Sequence, residues 1–325
     1  MKPSIAVCVP IWNRRDILAA SLQSLSRGLA GMEAQIYLFD NGSEIETREI
    51  IYNLSNSEHK LFKIFLPANC GIPYVANAFR SLIAQECDYI NLRKPDFVML
   101  MDADAYFTKP IRPLLDILIY DYGVAVISGH DSVEHGEIGR RTFLVDSEDV
   151  EVKIKLNERM LCLIMKREEF ESFDKFPTYR NRDVDWEVFL WNRNSLAARR
   201  RKLVAVDWVI HLGQFDSTWH SYGIPASLDE IGKIVSALEH EGLLTAARKD
   251  AANWQRRELE DNQGAYMEAD KDGKRHSFYE QMKNTFLGAI TIPYERIDEL
   301  MFSEILQAMG QLERVTQKCN QQIEG

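Results

Sequence analysis

Two carboxylates separated by one residue end an apolar run in the first third of the sequence. Met99-Leu100-Met101 is followed directly by Asp102-Ala103-Asp104. At the end of a buried strand, Asp102 and Asp104 would offer the hard oxygen ligands that Mg²⁺ and Mn²⁺ prefer, and such an ion can hold substrate phosphates. Acids at this spacing also begin solvated loops, so the pair indicates a metal site only together with its context.

The elements that must position these acids are predicted to form an α/β fold. Over the first hundred residues, short apolar runs alternate with helical spacing, which is typical of a mostly parallel sheet with helices on its faces. The predicted strands cover residues 4–10, 35–39, 62–66 and 96–101, and the predicted helices cover residues 16–29, 46–54 and 73–85. Ligands bind at the carboxyl ends of such strands, so Asn13, Asp40, Asn69 and Asp102 are predicted to lie around one crevice.

Beyond Asp104 the alternation weakens. Further strands are predicted at residues 124–129, 161–165 and 204–212, with a helix at 182–191. From about Pro225 the pattern is mainly helical, with apolar stripes within residues 231–238 and 305–319. We therefore predict a catalytic domain over residues 1–224 and a helical region over residues 225–325. This region would pack on the catalytic domain or join two copies in a homodimer.

Four motifs in order resemble the inverting nucleotide-sugar glycosyltransferases of family 2, which have a Rossmann-like A-type fold. They are the first strand with its Pro-x-aromatic-Asn-Arg loop, the Asp-Asn-Gly-Ser turn, the Asn-x-Gly segment with a following Asn, and the Asp-x-Asp strand. The resemblance covers roughly residues 4–215. It implies nucleotide-sugar contacts at Pro10, Trp12, Asn13, Arg14, Asp40, Asn41, Asn69, Gly71, Asn77, Asp102 and Ala103.

The resemblance also implies a metal site for Mn²⁺ or Mg²⁺. Asp104 matches the main metal ligand, and Asp102 matches a residue that contacts the ribose or the metal. His211, after the apolar pair Val209-Ile210, resembles a late histidine that joins the metal or the diphosphate in some members. A lone histidine after a strand is often an ordinary hydrogen-bonded residue, so both interpretations of His211 stay open.

The acceptor side requires a base, because a hydroxyl that attacks the sugar must lose its proton. Arg182-Asp183-Val184-Asp185-Trp186-Glu187 resembles the family's Glu-Asp-x-Asp segment, with Asp183 at the position of the base. Arg182 replaces the usual Glu, and its charge could lower the pKa of Asp183 or bind an anionic acceptor. Asp185 and Glu187 are rival bases, and Trp186 could stack on a sugar ring. Alternatively, Asp183 caps a helix whose other acids are solvated.

Composition excludes several classes. The 325 residues carry 39 Lys and Arg against 49 Asp and Glu, a net charge of −10, which disfavours extended nucleic acid as a partner. No Walker loop, dinucleotide fingerprint, zinc-protease or serine-hydrolase motif occurs. No transmembrane stretch or signal peptide is expected, and five scattered cysteines suit a reducing compartment, so a cytoplasmic location is predicted. The basic run at residues 199–202 is either a solvated helix end or a contact with an acceptor phosphate or, peripherally, with the anionic inner membrane face.

The sequence thus predicts a metal-dependent, inverting glycosyltransferase. It would move a sugar from a nucleoside diphosphate donor, favoured as UDP-linked, to a hydroxyl of a glycan, lipid-linked or protein acceptor, and surface glycan synthesis would be a fitting setting. The alternative from another class is a non-catalytic subunit that binds nucleotide sugars or assembles partners. A nucleotidyltransferase on a related fold is a third hypothesis.

Overall fold

A nine-stranded mixed sheet carries the first part of the chain. The computed structural model describes residues 2–56, 58–89, 94–131, 137–155, 161–173, 202–216 and 227–261. The strands are β1 (Ser4–Ile11), β2 (Glu33–Asn41), β3 (Lys60–Leu66), β4 (Phe97–Met101), β5 (Ala105–Phe107), β6 (Val124–Ser128), β7 (Glu137–Val145), β8 (Glu148–Lys155), β9 (Cys162–Lys166), β10 (Lys202–Ala205) and β11 (Val209–His211). The helices are α1 (Arg15–Gly28), α2 (Ile45–Asn53), α3 (Ile72–Tyr89), α4 (Arg112–Tyr120), α5 (Arg167–Ser172), α6 (Leu228–His240) and α7 (Ala246–Asp261), with a short 3₁₀ turn at Leu212–Phe215.

The sheet has the order β3-β2-β1-β4-β9-β6-β10-β8-β7. Its first four strands are parallel, and β9 runs antiparallel between β4 and β6. The carboxyl ends of β3, β2, β1 and β4 therefore meet at one edge, in that order. The predicted α/β class with a Rossmann-like, mostly parallel arrangement is confirmed.

Helix α1 is fixed to the segment that follows the paired acids. The apolar face of α1 is buried, and two serines on this face form hydrogen bonds with β5. The Ser21 hydroxyl donates to the Ala105 carbonyl at 2.8 Å, and the Ser24 hydroxyl accepts from the Phe107 N–H at 3.0 Å. At Gly28 a Cβ would lie 2.8 Å from the Phe107 ring, so only glycine allows this close approach. Helix α1 is therefore both hydrogen-bonded to β5 and closely packed against it.

The predicted strand at residues 204–212 is wrong in one respect, because it is two strands in two sheets. Strand β10 lies in the large sheet, whereas β11 pairs antiparallel with β5 in a separate two-stranded sheet, with His211 opposite Ala105. Between them, the N–H groups of Val206 and Trp208 donate to the carbonyls of Ser128 and Gly129. This crossing carries His211 towards the paired acids.

A hairpin of β7 and β8, which the sequence analysis did not predict, ends the sheet. Its two-residue turn has Asp146 and Ser147 at φ 49° and 68°, as a type I′ turn requires. Lys155, with a side chain 2% exposed, forms an ion pair of 2.7 Å with Asp131, which Lys153 also contacts. Burial by itself would raise the pKa of Asp131, but its two lysine partners lower that pKa overall.

The described residues fall into two compact units, one up to Leu212 and the other from Gly213 onward. In the second unit, the predicted apolar stripe of α6 is confirmed, with Ile231, Ile234 and Leu238 buried. Arg248 of α7 is buried and donates two hydrogen bonds to Asp216, at 2.6 and 2.7 Å. The stripe at 305–319, and with it the predicted dimer contact, lies outside the described residues.

The domain boundary at residue 224 stays a prediction. Among the described helices, none combines the length and the apolar character needed to cross a bilayer.

Candidate functional site

The paired acids lie in a tight turn at the carboxyl end of β4. The Asp102 N–H donates to the Leu161 carbonyl at 3.1 Å, and the Asp102 carbonyl accepts from the Ala105 N–H at 3.2 Å. This turn leads the chain directly into β5. Ala103 is buried, Asp102 is half-buried, and Asp104 is only 3% exposed. A carboxylate buried to this extent requires polar partners.

Asp104 has two such partners, and both meet the same oxygen. His211 Nε2 lies 3.1 Å from Asp104 Oδ2, and an Arg14 guanidinium nitrogen lies 3.2 Å from it. Burial alone would raise the pKa of Asp104, but the charge and hydrogen bond of His211 and the charge of Arg14 outweigh it. They hold the pKa of Asp104 well below its usual range. The carboxylate is therefore ionised and able to bind a cation.

Asp104 Oδ2 and His211 Nε2 are hydrogen-bonded to each other, and two ligands of one divalent ion would have a similar separation. With metal–ligand distances of about 2.1 Å, neighbouring ligands of an octahedral ion lie about 3.0 Å apart. The observed distance is 3.1 Å. No group of three or more His, Cys, Asp or Glu side chains that could hold a metal occurs among the residues that the structure describes. Two protein ligands fit Mg²⁺ or Mn²⁺ when substrate phosphates and water complete the shell.

The loop after β1 places Arg14. Asn13 adopts a left-handed φ of 51°, and side-chain contacts with the next loop hold it there. The Asn13 N–H donates to the Ser43 hydroxyl at 3.1 Å, and Asn13 Oδ1 accepts from the Glu44 N–H at 2.7 Å. Arg14 then caps α1. Pro10, near the end of β1, is half-buried, whereas Trp12 in this loop is 46% exposed.

The turn after β2 is built on a fully buried carboxylate. Asp40 is 0% exposed, and both its oxygens accept hydrogen bonds from protein groups. The Ser43 N–H donates to Oδ1 at 3.0 Å, and Arg48 Nε donates to Oδ2 at 2.7 Å. Arg48 also donates to the Leu66 carbonyl at 3.0 Å. In this arrangement Asp40 holds the turn and joins it to β3.

Two asparagines join the loops after β2 and β3. Asn41 Nδ2 donates to Asn69 Oδ1 at 3.0 Å, and Asn41 Oδ1 accepts from the Cys70 N–H at 2.8 Å. Asn69 Oδ1 also accepts from the N–H of Gly71, whose φ is 82°. Asn77 lies further along, half-buried on α3. Asn41 and Asn69 therefore shape the edge of the crevice.

The structure thus brings most of the predicted residues to one edge of the sheet, in three groups. Asp104, Arg14 and His211 form one, Asn13 joins the loops after β1 and β2, and Asn41 joins those after β2 and β3. The predicted acceptor-side residues, Asp183 with Arg182, Asp185 and Trp186, lie outside the described residues.

Sequence reasoning missed three residues that contribute to this edge. Arg48 is the ion-pair partner of Asp40, and its position eight residues later, one turn into α2, was the available signal. Ser21 and Ser24 are the two polar residues on the buried face of α1. Polar residues in an apolar helical stripe indicate hydrogen bonds to a neighbouring element.

Comparisons with known proteins follow this geometry. The family model "Glycosyl transferase family 2" matches residues 6–166. No curated protein matches the chain.

The solved structures that match the chain are distant in sequence. A mannosyltransferase from Pyrobaculum calidifontis in complex with GDP-Man and Mn²⁺ is 12% identical over 87% of this chain and 85% of its own, with a TM-score of 0.46. Residues 1–349 of S. aureus TarS in complex with UDP are 14% identical over 84% and 92%, with a TM-score of 0.42. GalNAc-T7 with UDP, GalNAc and Mn²⁺ is 13% identical over 64% of this chain, which spans 42% of that protein's chain, with a TM-score of 0.42. Through residues 6–166, the chain belongs to glycosyl transferase family 2.

Proposed function

We propose that the protein is a metal-dependent, inverting glycosyltransferase that uses a nucleoside diphosphate sugar, with UDP as the favoured nucleotide. The observation that carries the proposal is the Asp104–His211 pair, 3.1 Å apart, in which Asp104 follows β4 within the segment that matches the family 2 model. The pair is suited to hold Mn²⁺ or Mg²⁺. When bound, the ion would supply Lewis-acid stabilisation of the charge that develops on the leaving diphosphate.

Side chains of the protein itself would bind the diphosphate and accept the proton. Arg14 lies beside Asp104 and carries a guanidinium, which suits the oxygens of a diphosphate. Trp12 offers an exposed ring at the same edge. The nucleotide-sugar contact that the family resemblance implies for Asp40 stays a prediction, and it would require this carboxylate to exchange a partner such as Arg48. The acceptor hydroxyl would lose its proton to Asp183 and attack the face of the sugar opposite the leaving group.

The metal site is tested with a panel of UDP-, GDP- and dTDP-sugars in the presence of Mn²⁺. We expect the wild-type chain to release the nucleoside diphosphate, and Asp104→Asn to reduce that release by at least about 100-fold, since one charge-stabilising group commonly contributes that much. Asp149→Asn is the matched control, because Asp149 is an exposed carboxylate on β8. Equal rates of nucleoside diphosphate release for Asp104→Asn and Asp149→Asn would contradict the assignment of Asp104 as a metal ligand.

The base and the stereochemistry need a separate experiment. We expect Asp183→Asn to bind UDP with Mn²⁺ as the wild type does but to lose transfer, since only the proton acceptor is changed. NMR of the product should show an inverted anomeric configuration. Wild-type-like turnover of the variant contradicts the assigned base, and a retained configuration contradicts inversion. Metal-dependent UDP binding without turnover on any acceptor would favour the non-catalytic alternative.

A further inference from the structure

Arg14 and a divalent ion would bind the same atom. The guanidinium lies 3.2 Å from Asp104 Oδ2, and this oxygen is also the one that faces His211 Nε2. An ion held between Asp104 and His211 would lie about 2.1 Å from that oxygen. Two cations would then share one carboxylate oxygen within a few ångströms of each other. Because like charges repel strongly at that distance, Arg14 and the ion compete for Asp104.

The position of Arg14 is built into the fold. Its backbone is fixed on one side by Asn13, which the loop after β2 holds at a left-handed φ. On the other side it begins α1, whose Ser21 and Ser24 bond to β5 directly after Asp104. The side chain itself is 33% exposed, so its charged end can turn towards a ligand while the backbone stays in place.

We propose that Arg14 is the resident counter-ion of Asp104, which weakens binding of the metal alone and moves to the diphosphate when metal and nucleotide bind together. This inference rests on the proposed function. The diphosphate oxygens offer the guanidinium a paired, charge-assisted contact, so the arginine exchanges one anion for another. Arg14 thereby couples binding of the metal to binding of the nucleotide. The nucleotide draws the guanidinium away from Asp104, which favours the metal, and the metal displaces the guanidinium from Asp104, which favours its contact with the diphosphate. Metal without nucleotide is bound weakly, and metal with nucleotide is bound tightly.

The experiment measures Mn²⁺ binding by isothermal titration calorimetry on the full chain, first without nucleotide and then with saturating UDP. We expect Arg14→Ala to bind Mn²⁺ alone at least about fivefold more tightly than the wild type, and to bind UDP in the presence of Mn²⁺ at least about fivefold more weakly. Arg15→Ala is the matched control. Arg15 is the neighbouring residue, is exposed and carries the same charge, so it corrects for the change in net charge.

Two further variants keep the outcome unambiguous. Arg14→Gln repeats the test with a side chain of similar length should the alanine variant lose stability, and Arg14→Lys should keep part of the effect on Mn²⁺. If Arg14→Ala and Arg14→Gln bind Mn²⁺ no more tightly than Arg15→Ala, the counter-ion role is wrong. Asp104→Asn distinguishes failure of the proposed metal site from failure of the proposed role of Arg14. Unchanged Mn²⁺ binding in that variant refutes the proposed metal site, whereas loss of binding there with no effect at Arg14 refutes only this inference.

Discussion

Gly42 is the position at which the loop after β2 meets the loop after β3, and its replacement by alanine makes a sharp test. Its φ is +74°, and a Cβ there would lie 2.3 Å from the Ala68 carbonyl carbon and 2.5 Å from the Asn69 nitrogen. Both are backbone atoms, which cannot rotate out of the way. Gly31 is the matched control, because it has a φ of +78°, and a Cβ there would have no described neighbour within 4 Å.

The difference between the two variants isolates the cost of the contact. A left-handed backbone costs an L-residue about 1–2 kcal/mol, so Gly31→Ala should lower the free energy of unfolding by that amount. Gly42→Ala carries the same cost and adds about 1–3 kcal/mol for forcing a methyl group into filled space. The expected loss for Gly42→Ala is therefore about 2–5 kcal/mol. To relieve the clash, the loop at residues 68–71 must move away from Asn41 and break its hydrogen bond to Asn69.

Urea unfolding followed by circular dichroism measures the stabilities, and titration with UDP and Mn²⁺ measures the site. Gly42→Ala should lose nucleotide affinity under conditions where it is still folded, whereas Gly31→Ala should keep wild-type affinity. The reasoning is refuted if the two variants have the same free energy of unfolding within about 0.5 kcal/mol, which is the usual error of additivity.

Two further predictions concern the stability that ion pairs contribute. Arg48→Met should lower the free energy of unfolding by about 3 kcal/mol, because it leaves the carboxylate of Asp40 buried without its cation; adding Asp40→Asn should restore part of the loss, which urea unfolding of the three variants would show. Asp131→Asn should cost about 3 kcal/mol at neutral pH, because it removes the carboxylate that forms an ion pair with buried Lys155. Because the pKa of Asp131 is lowered by folding, this stability is present above about pH 4 and is lost as the pH falls further, so the difference from wild type should shrink in unfolding curves at about pH 3.5. A difference that is constant with pH contradicts the assigned pairing.

The parallel half of the sheet was predictable because its signal is local. The strands β1 and β4 are buried on both faces, so they form unbroken apolar runs in the sequence, and each ends where polar residues begin. The change from apolar to polar residues at the strand ends also marks the candidate site. Residue types at strand ends therefore indicated Asn13, Asp40 and Asp104 before any contact was known.

The rest of the sheet depends on pairings between distant residues. The chain from Lys202 to His211 is apolar enough for one strand, and only its partners, β6 for one half and β5 for the other, divide it in two. The β7–β8 hairpin was missed for another reason. Val150 and Val152 alternate with charged residues in β8, which is the pattern of a strand buried on one face, but no Gly or Asn marks the turn at Asp146 and Ser147.

The hydrogen bonds at the carboxyl edge give the candidate site its shape without help from a ligand. Side chains of Asn13 and Asn41 join the loops after β1, β2 and β3, Asp40 holds the turn after β2, and α1 is bonded to β5 next to Asp104. A nucleotide sugar that bound here, as proposed, would meet loops already in place, so little ordering would oppose its binding. The exposed ends of Arg14 and Trp12 are then the parts that must adjust. Under the proposed function, a chain with a net charge of −10 would bind a diphosphate through local cations, namely Arg14 and a divalent ion held by Asp104 and His211.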